Sequence, residues 1–313
     1  MSNVKVYIAI FVCVQVLFMS LDAIDLWIQK KNDLWIAKKN GSGSRILLES
    51  RPVILLVFVS GTVYFLVQLL LSALMPGLPR LIHFTAAFGG ITPDGGVASA
   101  ASPPWLLLLF VAATAYLATT LFDYLIHRFL LHGFLWRLHE NHHLPTVVSN
   151  LMPGIAARPF VAIPNFIINL GSALLVLWLL RLSGHPQLMA ALPTVVPALI
   201  AWFAFVACAS HSSFLRRFEF VDRLFRALLI VSPREHLLHH AADLKGNYGN
   251  FTALWDRLFG TYIDPQSWPQ PVVGLNYDQD FLGAISAGRL KLSRSMRRRY
   301  QVDRVCRINQ EES

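Results

Sequence analysis

The chain has 313 residues, 55% of them hydrophobic and only 14% charged, with a formal net charge of +9. A soluble domain carries about a quarter charged residues, so this composition excludes an ordinary water-soluble globule and points to a membrane protein with a basic polar face. Cys13, Cys208 and Cys306 lie far apart and supply neither a disulfide framework nor a thiolate metal site.

Five apolar stretches follow one another along the chain, at residues 6–21, 53–75, 105–122, 160–182 and 188–208. The last four have the roughly 18–25 residues needed to cross a bilayer. The first is shorter. Only Lys5 supplies a basic start there and no small-residue cleavage site precedes Asp22, so it reads as an anchor rather than a cleaved signal. The loop 22–52 carries Lys30, Lys31, Lys38, Lys39, Arg45 and Arg51, and fifteen further Lys and Arg follow Cys208, whereas the loop 76–104 has only Arg80. The positive-inside rule puts 22–52, 123–159 and everything after Cys208 in the cytosol. Residues 183–187 are too few for anything but a hairpin turn between the fourth and fifth spans, which Pro164, Pro193 and Pro197 are expected to kink.

Residues 212–231 place Phe214, Phe218, Val221, Phe225 and Leu228 at helical spacing opposite Arg216, Arg223 and Arg226. That pattern fits a helix lying along the headgroups, or one buried against the protein's own spans. The expected fold is all-α, a polytopic membrane protein with four to five transmembrane helices and a cytosolic helical cap carrying the histidines. Its organisation reads as an N-terminal anchor region at 1–104, a catalytic region at 105–262 and a basic cytosolic tail at 263–313.

Nine of the eleven histidines fall into three short clusters and one single position: His127 and His132, then His139, His142 and His143, then His211, then His236, His239 and His240. Residues three and four apart share a helix face, so each H-x-x-H-H run points its rings one way. The topology places all nine on the cytosolic side and the two remaining histidines, His83 and His185, on the other. Neutral imidazole is the commonest metal ligand, and nine rings are too many for one ion, so two ions are expected. His127 and His132, five apart, are rotated by about 140° on an ideal helix. They serve different metals, or Gly133 ends the helix and swings the second ring inward. Asp123, one turn before His127, is a candidate acceptor for its other ring N–H, with a plain surface charge as the alternative. Glu140 and Glu235 lie in or beside the clusters, but the chain lacks the paired Glu and Glu-x-x-His repeats of soluble di-iron bundles.

The ordered set of His211-Ser212-Ser213, Pro233-Arg234-Glu235-His236-Leu237-Leu238-His239-His240, Asn247-Tyr248-Gly249-Asn250-Phe251 and Trp255-Asp256-Arg257-Leu258-Phe259-Gly260-Thr261-Tyr262 resembles the sterol desaturase/fatty acid hydroxylase superfamily. The 123–132 and 139–143 boxes match the same pattern, and the resemblance covers 105–262. Ser213 departs from it, since many relatives carry Asn there. Members are integral-membrane non-haem di-iron enzymes. The resemblance therefore implies two iron ions held by His127, His132, His139, His142, His143, His211, His236, His239 and His240, with O₂ as co-substrate. It implies hydroxylation of a membrane lipid (an acyl chain, a sterol-like ring or an aminolipid head group), with desaturation as the nearest rival.

Imidazole ligands do not by themselves choose between iron, zinc, copper and nickel. A non-catalytic membrane metal-binding protein would need the same histidines, although a metal transporter would place its ligands within the spans. Trp255–Tyr262 also reads as a packed helix stopped at Gly260, and Asn247, Tyr248 and Asn250 either line the site or simply form a turn. No fused haem domain is visible, so electrons are expected from a separate b-type cytochrome or ferredoxin with its reductase. The basic run with Lys291, Arg294, Arg297, Arg298, Arg299, Arg304 and Arg307 would attract that donor or an anionic membrane. Nucleic acid is not an expected partner. The expected location is multi-pass in a membrane, the inner membrane of a bacterium or the endoplasmic reticulum of a eukaryote.

Overall fold

Helix α2 (Trp105–Leu125) runs without interruption into a π-helical segment, Ile126–Phe134. Neither Gly nor Pro interrupts Trp105–Leu125, and its leucines and alanines are strong helix formers. Among the described residues, Trp105–Phe134 is the one helix long and apolar enough to cross a membrane. The computed structural model describes residues 9–10, 12–25, 27–28, 105–143, 162–184, 188, 191–241, 245–268, 293 and 295.

Two further long helices pack beside α2: α4 (Ala162–Leu182) and α5 (Leu192–Ser210). A short helix α3 (Trp136–His139) and a 3₁₀ turn (Glu140–His143) separate α2 from α4 in sequence. Val111, Ala115 and Ala118 of α2 share one buried cluster with Val176 and Leu180 of α4 and with Ala191, Leu192 and Val195 at the start of α5. At the other end, the ring of Phe122 occupies the space a Cβ at Gly171 would need, only 2.3 Å away. The early part of α2 thus meets the late part of α4, and its late part meets the early part of α4, so the two run antiparallel. Alanines in the seam let the backbones approach closely. The chain leaves α4 through Ser183 and Gly184, the latter at φ +70°, a left-handed stop that glycine adopts without strain.

A second cluster sits at the opposite end of α5. Val206, Cys208 and Ala209 pack against Phe18 of α1 (12–25) and against Val221 and Phe225 of α6 (Glu219–Ala227). Beyond α6 come α7 (Pro233–His239) and α8 (Leu254–Leu258). Strand-like pairing among the described residues is confined to isolated bridges such as that between Ile230 and Thr252, so these residues are mostly helical, as expected. The outer bundle surface is apolar: Trp105, Leu109 and Phe110 of α2, Leu174 and Trp178 of α4, and Val16 and Leu17 of α1 are all exposed.

Several expectations change in detail. Of the five apolar stretches, 105–122 belongs to the long helix just described, while Leu170–Leu182 and Thr194–Ser210 are shorter apolar helical stretches. Residues 53–75 lie outside the described residues, as do His83, His185 and the basic run after Lys291. Pro164 and Pro193 fall in the first turns of α4 and α5, where a missing N–H disrupts nothing; only Pro197 lies inside its helix. Residues 212–231 are not one helix but a 3₁₀ turn (Leu215–Arg217) followed by α6, which ends where Leu229 turns to φ 57°. Val221 and Phe225 are buried against the bundle, whereas Phe220, Leu224 and Leu228 form the exposed face. Residue Arg226 packs inward on Asp222 at 3.1 Å.

Candidate metal centre

The first two histidines come from the π-helical segment. In a π-helix the backbone bonds from i to i+5, so residues five apart stack on one side, and the bond from Leu135 N–H to the Leu130 carbonyl at 2.6 Å has this spacing. The rings of His127 and His132 lie 4.9 Å apart, centroid to centroid. The first alternative does not hold, since the two rings belong to the same group; the helix does break at Gly133, as the second expected, but the widening ahead of that break already brings the rings together.

The next three histidines ride on α3 and its 3₁₀ extension, and His211 stands at the C-terminal end of α5. The last three are carried by α7, whose start is held by a capping box. The Ser232 hydroxyl accepts from Glu235 N–H at 3.1 Å, and the Glu235 carboxylate accepts from Ser232 N–H at 2.8 Å. Glu235 is therefore a helix cap beside the site rather than a ligand. Ser232 also donates to Asp222 at 2.6 Å, which fastens α7 to α6.

All nine histidines meet at one end of the bundle, away from the Ser183–Gly184 turn. They divide into two groups that could each hold a metal ion: His127, His132, His139 and His239, and His142, His211, His236 and His240, each with its ligand atoms within 4.8 Å of one another. The Nε2 atoms of His127 and His139 are 3.0 Å apart and those of His132 and His239 3.1 Å. In the second group, His211 Nε2 lies 3.3 Å from His142 Nε2 and 3.0 Å from His236 Nε2, and His240 and His236 are 3.1 Å apart. Nitrogens facing one another at such distances repel unless a proton or a cation lies between them. Two imidazoles on one ion at roughly 2.1 Å, subtending roughly 90–109°, would place their nitrogens about 2.9–3.4 Å apart. The residues present fit a pair of metal ions. His143 belongs to neither group, but its ring is 4.8 Å from His239 of the first and 4.8 Å from His240 of the second. It stands between the two.

Three rings are aimed by backbone carbonyls. Nδ1–H donates to the carbonyl of Tyr248 from His127 at 2.6 Å, of Ala207 from His211 at 2.8 Å, and of Gly246 from His239 at 3.2 Å. This fixes the tautomer with the Nε2 lone pair pointing into the site, the arrangement a metal needs. Burial holds the imidazoles of His139, His142, His143, His236, His239 and His240 well below the ordinary range, and neighbouring rings press the same way. Neutral, converging and shielded from water, these side chains could hold a metal ion and do not act as cations.

The carbonyls of Gly246 and Tyr248 belong to the Gly-Asn-Tyr-Gly-Asn loop at 246–250, which Asp256 of α8 holds in place. Its carboxylate accepts from Tyr248 N–H at 2.8 Å, from Gly249 N–H at 2.7 Å and from the Thr261 hydroxyl at 2.7 Å. Burial pushes the Asp256 carboxyl up, and these bonds oppose that rise. Gly249 leaves no room for a side chain, since a Cβ would lie 2.2 Å from the Thr252 carbonyl. Asn247, at φ 52°, donates to the carbonyls of Glu235 and Ile263 and so ties the loop to α7. The block is docked on α2 through Trp255 Nε1 to Thr120 at 3.0 Å and through the Tyr124–Thr261 hydroxyl pair at 2.9 Å.

The Trp255–Tyr262 block is thus the expected short helix, with Gly260 at φ +69°, but it also supports the histidines at one remove. Asp123 is placed differently from expectation. His127 uses the Tyr248 carbonyl, and Asp123 instead accepts from the Asn250 side-chain amide, whose Nδ2 lies 3.1 and 3.2 Å from its two carboxylate oxygens. Ser213, the departure from the family pattern, is buried, and its hydroxyl finds no hydrogen-bond partner among the described residues. The Asp256 role was not read from sequence. Its signal is an acidic residue set beside Arg257 among Trp, Leu and Phe, eight positions beyond Tyr248.

Residues 112–261 match the family model of fatty acid hydroxylases. This region belongs to the sterol desaturase/fatty acid hydroxylase superfamily. The matched region contains all nine histidines and the loop and helix that aim them. It leaves out α1. No curated protein and no solved structure matches the chain at a significant level. The family is membrane-associated, generally enzymatic and typically iron-dependent.

Proposed function

We propose that this chain is a multi-pass membrane di-iron monooxygenase that hydroxylates a C–H bond of a membrane lipid. The observation that carries the reading is the pair of largely buried four-histidine groups, side by side at one end of an apolar bundle. His127, His132, His139 and His239 would hold one iron, and His142, His211, His236 and His240 the other, with His143 between them. Bound there, iron supplies O₂ activation and attack on an unactivated C–H bond; the protein contributes positioning and exclusion of water. The overall change takes one lipid C–H, one O₂, two electrons and two protons to one C–OH and one water.

The chain's own residues serve this by keeping every ring neutral and by locking three of them to carbonyls. A bundle with an apolar outer surface sits in the bilayer, so the lipid reaches the histidines without crossing water. The two electrons come from a separate b-type cytochrome or ferredoxin, for which the basic tail beyond Lys291 is the proposed docking segment. The histidine end faces the cytosol on the charge distribution of the sequence.

Two measurements test this. Metal analysis of anaerobically purified full chain in detergent should find about two irons, by the ligand count. A lipid profile of cells with and without the chain should show a product richer by one oxygen. A product poorer by two hydrogens would instead assign a desaturase, and full metal occupancy with no altered lipid would assign the non-catalytic metal-binding protein.

A further inference from the structure

His211 is supported by a helix that lies outside the region matched to the family. Helix α1 follows the last turns of α5: Phe18 meets Phe205 edge-on with ring centroids 5.7 Å apart, and Cys208 Sγ lies 3.4 Å from Gln15 Oε1. One turn further on, α1 carries Asp22 and Asp25, both with no solvent exposure. Asp22 Oδ1 accepts from the Ser212 hydroxyl at 2.7 Å and from Phe214 N–H at 3.1 Å. Ser212 Oγ in turn accepts from Leu215 N–H at 3.2 Å. Asp25 forms an ion pair with Arg217, whose guanidinium also donates to the Asp25 carbonyl at 3.4 Å. The turn 212–217 is thus tied to α1 at both of its ends.

Buried carboxylates are costly unless hydrogen bonds and charges satisfy them, and a simple anchor has no use for two. Here both act on the single turn that follows a metal-centre histidine. His211 is held through Nδ1 by the Ala207 carbonyl at 2.8 Å and the Ser210 hydroxyl at 3.4 Å, both within its own helix, so the direction of its ring depends on where α5 ends. Asp22 defines that end by fixing the residue next to it.

We propose that α1 is a working part of the metal centre, with Asp22 the positioning residue that aims His211 and so sets the metal affinity of the second histidine group. This rests on that group being a metal site. The full chain in detergent, stripped of metal and titrated anaerobically with Co²⁺, is expected to show two binding steps by its visible d–d absorption. Asp22→Ala should weaken one step roughly 10–100-fold, as loss of a ligand's outer support does, and leave the other within about twofold. Asp22→Asn keeps an oxygen that accepts from Ser212 and Phe214, and should restore most of the loss. Ser212→Ala should weaken the same step, and the double variant Asp22→Ala/Ser212→Ala should lose no more than Asp22→Ala alone, since the two residues act in one chain. Two unchanged steps, or both steps weakened together, would overturn the proposal. Should Asp22→Ala not fold, Asp22→Asn and Ser212→Ala decide by the same criterion. Wild-type chain that takes up no Co²⁺ would overturn the metal reading, and this inference with it.

Discussion

The two histidine groups use the same ligand type in the same number, yet the protein holds them by different means. The first group is aimed from the C-terminal side. His127 and His239 donate to carbonyls of the 246–248 stretch, and Asp256 pins the amides of that loop. The second group leans on helix ends. His211 donates to its own helix, α1 braces the turn beyond it, and the Nδ1 atoms of His236 and His240 have no hydrogen-bond partner among the described residues. A ring locked to a carbonyl keeps its tautomer and direction in the absence of metal, whereas a ring without such a bond gains them from the ion. The first site is the more preorganised of the two, and the second the more dependent on its metal.

The largest expected effect separates the groups directly. His139→Ala and His236→Ala should each reduce product formation to background, and metal analysis should find the loss of a different ion in each. His83→Ala and His185→Ala should leave metal content at the wild-type level. Loss of both ions from either ligand variant would mean that the two groups act as one site.

Asp256→Ala comes next. Removing a buried carboxylate that serves two amides and a hydroxyl should lower stability by about 3 kcal/mol. Through the freed Tyr248 carbonyl it should also weaken the first metal roughly 10–100-fold while sparing the second. Thermal melts and metal titration of the same samples read the two consequences. Equal weakening of both metals would erase the contrast in support.

Acidification acts on both groups. The buried imidazoles have pKa values depressed below the unfolded value of about 6.5, so below that pH the unfolded chain takes up protons that the folded chain refuses. Stability is therefore full above about pH 6.5 and falls below it, by about 1.4 kcal/mol per pH unit for each such histidine. Melting temperatures of the metal-stripped chain should be flat from pH 7 to 8 and drop steeply toward pH 5. A flat profile down to pH 5 would mean that the rings are not neutral and buried together. The smallest effect concerns docking of α8. Thr120→Val removes the acceptor of Trp255 Nε1 and should cost about 1 kcal/mol, with both metals retained.

The histidines were legible because their chemistry is local. Clusters at three- and four-residue spacing must share a helix face, and the apolar runs with their basic flanks predict that all of them lie at one end of the bundle. Even the expectation of two ions followed from the ligand count. What the linear pattern could not reach was the backbone. Residues five apart would diverge on an α-helix, and only the packed chain shows that the helix widens at Ile126–Phe134 to bring His127 and His132 together. Nor does a sequence reveal which carbonyl a ring will meet. Asp123 was the nearer candidate along the chain, but the Tyr248 carbonyl, 121 residues away, occupies the place beside His127.

The same holds for the supports. Asp22 and Asp256 look like incidental acids at the edge of apolar segments, and their partners are 190 and eight residues distant. Composition and spacing by themselves determined that this is a helical, membrane-type chain with nine converging histidines, because burial preference and helical period act residue by residue. How those histidines divide into groups, which of them are aimed in advance, and that the N-terminal helix braces one group, only the tertiary structure decided, because hydrogen bonds between distant segments exist only once packing has brought them within 3 Å or so of each other.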